Sequence, residues 1–150
     1  ADATNQILKL IASRKWQHVY CNEEKLSKLL VANGSLTLNT SSLADSDAAL
    51  TSCHYLIART GAMVMSSAQQ SGRTVSVYTP IHICIAYVDQ LVFDTYDALK
   101  AFKSKSAIGI PSFITFAAGP SRTADIEKTL VMGIHGPKEV YLFLIDKPLP

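Results

Sequence analysis

Apolar positions change their period along the chain, and the change predicts which segments are helix and which are strand. Over 3–13, Ile7, Leu8, Leu10 and Ile11 fall on one face, as in a short amphipathic helix. Residues 18–21 read as a short strand. Asn22 followed by Glu23 and Glu24 opens a second helix, with a capping side chain and then acids that the helix dipole favours. That helix carries Leu26, Leu29, Leu30 and Val31 and stops near Asn33 and Gly34. The Ser-, Thr-, Asn- and Asp-rich stretch 35–47 reads as a loop, with Asp45 and Asp47 placed to cap a short helical turn before Leu50.

From Cys53 onward strand patterns dominate. Residues 54–58 and 62–65 flank Arg59-Thr60-Gly61 as two strands around a tight turn. The β-branched and aromatic stretch 74–78 predicts a strand that Pro80 interrupts. Residues 81–88 form an apolar run, as expected of a strand buried on both faces. The pattern then predicts a helix over 94–102, a strand over 112–118, a helix over 122–132 ended by Gly133, and a last strand over 140–145. Helices and strands alternating through short links predict an α/β fold, a three-layer α/β/α domain. No internal repeat or linker divides residues 1–150.

Composition narrows the function classes. A chain of 150 residues suffices for one domain with a real core. With 48% apolar and 17% charged residues it is globular in composition, not disordered. A net charge of +2 argues against a general nucleic-acid binder. Cys21, Cys53 and Cys84 are widely spaced and odd in number, with no CxxC pair and no ferredoxin or zinc spacing. They read as buried free thiols of a reducing compartment, and no intrinsic cofactor or metal is predicted. No apolar run approaches the roughly 20 residues of a membrane span. No leader pattern opens the sequence, so a cytoplasmic protein is expected. The first residue is Ala1 and not Met, as in a trimmed chain.

The strongest candidate chemistry follows the strand 112–118. There Gly119-Pro120-Ser121-Arg122-Thr123 leads into the predicted helix. Ligands gather at the carboxyl ends of strands in open α/β sheets, and a helix start attracts anions. Ser121 and Thr123 add hydroxyls, and Arg122 a planar fork suited to phosphate or carboxylate. The same residues also suit a plain helix cap, with Arg122 and Asp125 paired on the surface. Asp125 and Glu127 would sit early in that helix, off its apolar stripe. His135, in Gly133-Ile134-His135-Gly136-Pro137, could carry a proton near neutral pH or simply hold the bend. His82, after Pro80 at the head of a buried strand, has the same two readings. His18 and His54 read as ordinary strand residues. Patterns such as GxSxG, GxxxxGK, GxGxxG and HExxH are absent.

Together, GPSRTADIE at 119–127 and GIHGP at 133–137 resemble the paired signature of the LUD family, the LutC/YkgG-type lactate-utilisation proteins. The block 54–65 resembles the family's strand–turn–strand, and Pro80 with His82-Ile83 its P-x-H-I element. The resemblance covers about 45–146, leaving 1–44 as a helical N-terminal part of a single LUD domain. It implies a Rossmann-like fold of the NagB/RpiA/CoA-transferase-like type. It also implies a place in L-lactate oxidation beside iron–sulfur partner subunits. The chain resembles the cluster-free subunit, expected to bind an anionic small molecule or dock those partners. One departure stands out. The family's E-T-G turn is Arg59-Thr60-Gly61 here, and related CoA-transferases use a glutamate in a similar turn as nucleophile. Arginine has no carboxylate to attack with, so acyl transfer is not expected there, whereas anion binding is. The ligand-binding candidates are therefore Arg59, Thr60, Gly61, Gly119, Ser121, Arg122, Thr123 and Gly136. The catalytic candidates are His82, Asp125, Glu127 and His135. Two alternatives stand beside this reading: a free-standing enzyme acting on a phosphorylated or carboxylated metabolite, and a non-catalytic structural or regulatory module.

Overall fold

The computed structural model describes residues 2–31, 38–39, 42–105, 110–126 and 129–149. In chain order the elements are α1 (Asp2–Arg14), β1 (Val19–Tyr20), α2 (Glu24–Val31), β2 (Leu38–Asn39), β3 (Ala48–Ser52), β4 (Tyr55–Ile57) and β5 (Ala62–Ser66). There follow α3 (Val75–Tyr78), β6 (Ile81–Tyr87), β7 (Leu91–Val92), α4 (Thr95–Lys105), β8 (Ile114–Ala117), β9 (Arg122–Ile126), β10 (Thr129–Met132) and β11 (Glu139–Ile145).

Alternation along β6 organises the packing. The strand sits inside a parallel sheet of order β11-β6-β3-β1-β2. Ile81, Ile83 and Ile85 pack with Ile7 and Ile11 of α1 and Leu26 and Leu30 of α2. Cys84 and Ala86, on the other face, pack with Leu56, Met63 and Met65 of a second sheet. That sheet has the order β7-β4-β5-β8, and its far face packs Tyr55, Ile57 and Val64 against Ala98 and Phe102 of α4. The chain is thus α/β as its alternation predicts, with helices on both outer sides. A mixed sheet lies between the parallel sheet and α4. Each fully buried Ile or Val here contributes about 1.5–3 kcal/mol.

The turn Arg59-Thr60-Gly61 joins antiparallel β4 and β5 as expected, with Gly61 at φ +67°. The Gly61 N–H donates to the Ile57 carbonyl at 2.8 Å. Cys21, Cys53 and Cys84 are buried free thiols.

Three segments differ from the sequence expectation. Asp47 caps no helix. Its carboxylate accepts the N–H groups of Gln17 and His18 at 2.8 and 2.9 Å, and the chain runs on into β3, where Ala48, Ala49 and Leu50 are buried. The 74–78 stretch is one helical turn, because the Val77 and Tyr78 N–H groups donate back to the Thr74 carbonyl, burying Val75 and exposing Val77. The described residues of the 122–132 segment, 122–126 and 129–132, are strands and not the expected helix. β9 and β10 pair antiparallel with Arg122 opposite Met132 and Thr123 opposite Val131. Gly119 (φ +112°) and Gly133 (φ +77°) bracket this hairpin, where the sequence suggested that they bracket a helix. The hairpin root is tied by Ser121 N–H to Pro137 O at 2.9 Å and Gly133 N–H to Ser121 O at 3.0 Å.

Candidate functional site

Because the strands of the larger sheet all run parallel, their carboxyl ends meet on one side. The loops leaving β1, β3 and β6 bring Glu23, Ser52, His54, Asp89 and Gln90 around a cavity of about 410 Å³. Glu23 is buried although charged, at 8% exposure. Its carboxylate accepts the Ser52 N–H at 3.0 Å and the Ser52 hydroxyl at 2.5 Å. The Gln69 amide donates to the Ser52 carbonyl and Oγ at 3.1 and 3.2 Å, and accepts from the Ser66 N–H. Gln90 donates to the Cys53 carbonyl and accepts the Tyr87 N–H at 2.7 Å. This network fixes the β3 end, since a buried carboxylate is stable only when its oxygens are bonded. The start of α2 is closed from a distance: Gln70 Oε1 accepts the Glu24 N–H, while Asn22 donates to the Gln70 carbonyl.

Burial and local hydrogen bonds shift the ionisation of groups in and beneath this cavity. His54 shares a hydrogen bond with Ser66 Oγ at 2.8 Å, its ring is edge-on to Phe102 at 4.9 Å, and burial lowers its pKa. Burial, with the Asp89 carboxylate second, raises the Tyr87 phenol. The Cys84 thiol is pushed well up, first by its hydrogen bond with Cys53 and then by burial. Two carboxylates and one ammonium, Lys25, line this cavity. It therefore suits a ligand that offers hydroxyl or amine donors better than it suits an anion.

Some of the residues singled out in the sequence line two other cavities, and the rest lie in neither. Thr60, Gly61 and Gly119 line a cavity of about 290 Å³ beside Val140 and Leu142. His135 and Gly136 line one of about 510 Å³ with Tyr78, Thr79 and Lys138, at the amino ends of β6 and β11. Ser121 joins this second group, its Oγ accepting the His135 N–H at 3.3 Å. Among the described lining residues here no carboxylate opposes Lys138. His82 lines none of these cavities. It lies between the sheets at 1% exposure, with Nε2 2.8 Å from Thr51 Oγ1, and burial lowers its pKa to about 4. Arg59 points outward to Asp94 at 3.8 Å. Arg122 is exposed on β9 and Thr123 half-buried beside it. Asp125 belongs to β9 by its backbone, and Glu127 lies outside the described residues.

Sequence reasoning missed Glu23, Ser52, His54, Gln69 and Gln90. The helix dipole already accounted for Glu23, and a strand placed from 54 onward hid Ser52 at the end of β3. Among the described residues no three His, Cys, Asp or Glu side chains group as a metal site, and no described helix is long and apolar enough to cross a membrane.

The fold is that of a DUF162 family protein from Deinococcus radiodurans, whose crystal structure superposes with a TM-score of 0.51 at 21% identity, covering 95% of this chain and 96% of that one. The LUD domain family model matches residues 1–145. The chain belongs to the LUD domain family, and the match takes in the segment before residue 45 as well. It is 36% identical over 104 residues to lactate utilization protein C of Halalkalibacterium halodurans, covering 67% of this chain and 45% of that protein. It is 32% identical over 128 residues to lactate utilization protein C of Bacillus subtilis, covering 83% and 48%. An uncharacterised protein of Neisseria meningitidis is 31% identical over 109 residues, covering 73% and 46%. The chain thus spans about half the length of the curated relatives it matches.

Proposed function

We propose that this LUD domain serves L-lactate utilisation as a cluster-free component that binds a small carboxylate and works beside iron–sulfur partner subunits. The observation that carries the reading is the family match over 1–145, with relatives named lactate utilization protein C. Charge favours the cavity at 133–138 for the anion. Lys138 and His135 border it without an opposing carboxylate, whereas Glu23 and Asp89 line the cavity at the carboxyl ends of the strands. Like charge disfavours a carboxylate ligand there by ordinary Coulomb repulsion.

The test has two arms. Tagged protein captured from cells grown on L-lactate is assayed for iron and acid-labile sulfide. Both are expected in the complex, and their absence removes the partner half of the reading. Separately, L-lactate and pyruvate are titrated in thermal unfolding. At a hundred times its Kd a ligand adds about 2.7 kcal/mol. The stabilisation is expected to vanish in Lys138→Ala. No shift with either acid, or an undiminished shift in the variant, removes the ligand half.

A further inference from the structure

Three features left unpartnered by the fold lie at one side of the molecule. β11 ends the parallel sheet and β8 ends the mixed sheet, so among the described residues neither has a strand on its outer side. The two edges face each other across a groove of about 290 Å³, lined by Ala118, Gly119 and Pro120 after β8 and by Val140 and Leu142 of β11. From this same place springs the β9–β10 hairpin, which pairs only with itself among the described strands.

Each feature is costly alone. An isolated two-stranded hairpin is marginal in water. An open edge strand without inward charges, prolines or bulges invites pairing, and Val140–Ile145 carries none of these. The hairpin presents Leu130 at 61% and Met132 at 36% exposure, both even-numbered and hence on one face of β10, with Ile134 just beyond at 42%. On β11, Leu142 and Leu144 alternate onto one face at 41% and 47%.

We propose that this side binds a second copy of the chain, the hairpin of each copy lying with Leu130 and Met132 on Leu142 and Leu144 of the other. Area and symmetry single out this occupant. Leu130, Met132, Ile134, Leu142 and Leu144 together expose roughly 400 Å² of apolar surface, most of the apolar part of the ~800 Å² that each member of a stable dimer buries. One surface holds both the projecting arm and the edge that receives it. A twofold axis therefore satisfies both at once and closes the assembly. The arrangement also covers the groove that holds Thr60, Gly61 and Gly119.

Sedimentation velocity at micromolar concentration tests this. The chain is expected to run as two copies, and Leu142→Asp and Met132→Asp each as one copy with an unchanged far-ultraviolet spectrum. In the double variant Met132→Cys with Leu142→Cys, mild oxidation is expected to link two chains covalently, while each single variant stays unlinked. That experiment decides the matter should an aspartate variant misfold. A one-copy wild type, dimers that survive both aspartate changes, a mass that grows without limit, or a double variant that does not cross-link overturns the proposal. So does a wild type that stays single and takes up only iron–sulfur partners on this face.

Discussion

His82 shows how much a residue's meaning depends on where its strand lies. Read in sequence it could carry protons. Between the sheets, bonded to Thr51, it is held neutral, and burial brings its pKa down to about 4 from the usual 6.5. A base with a depressed folded value takes up its proton first in the unfolded chain. Its contribution is therefore full above about pH 6.5 and is lost as pH falls towards about 4, amounting to about 3 kcal/mol. Urea midpoints measured across that window should fall steeply for the wild type and less steeply for His82→Gln. Equal slopes would refute this account. The sequence held the residue type and its place after Pro80, but not the second sheet that buries it.

At the scale of elements, legibility followed burial. β6 was plain in the sequence because both of its faces are covered, and α1 and α2 because each packs one face on the parallel sheet. The β4–β5 turn was legible through its glycine, which has φ +67° and open space where a Cβ would stand. Gly61→Ala therefore meets only a backbone penalty, and stability should drop by about 1 kcal/mol. Thermal unfolding checks it, and an unchanged or raised midpoint would contradict the left-handed turn. The 122–132 segment misled because Leu130 lies four residues after Ile126, as a helical stripe would. Thr123, Thr129 and Val131 favour strands instead, and the Ser121–Gly133 and Ser121–Pro137 hydrogen bonds close a hairpin.

For the whole molecule, two sheets stacked between helices divide the apolar residues, among those described, into three clusters: one between α1, α2 and the parallel sheet, one between the two sheets, and one between the mixed sheet and α4. Ile83, with no exposed surface, sits where the parallel sheet meets α1 and α2. Ile83→Ala should cost about 2–5 kcal/mol in chemical unfolding, the range for opening a cavity in a closed core. A loss below about 1 kcal/mol would show that this layer is loosely packed. The same layering sets the site. Glu23, Ser52 and Gln90 are far apart in the chain and meet because the parallel strands β1, β3 and β6 end together, and Gln69 reaches Ser52 from the loop after β5 in the mixed sheet.

Residue order alone carries the α/β class, the helices and strands whose period matches their burial, the Arg59–Gly61 turn and the family motifs at 119–137. Long-range packing sets which face each strand shows to which layer, the mixed sheet between the parallel sheet and α4, and the burial of His82 while His135 borders a cavity. Local period records that a residue faces something apolar. The identity of that something is set by contacts between segments distant in the chain, and no local pattern encodes them.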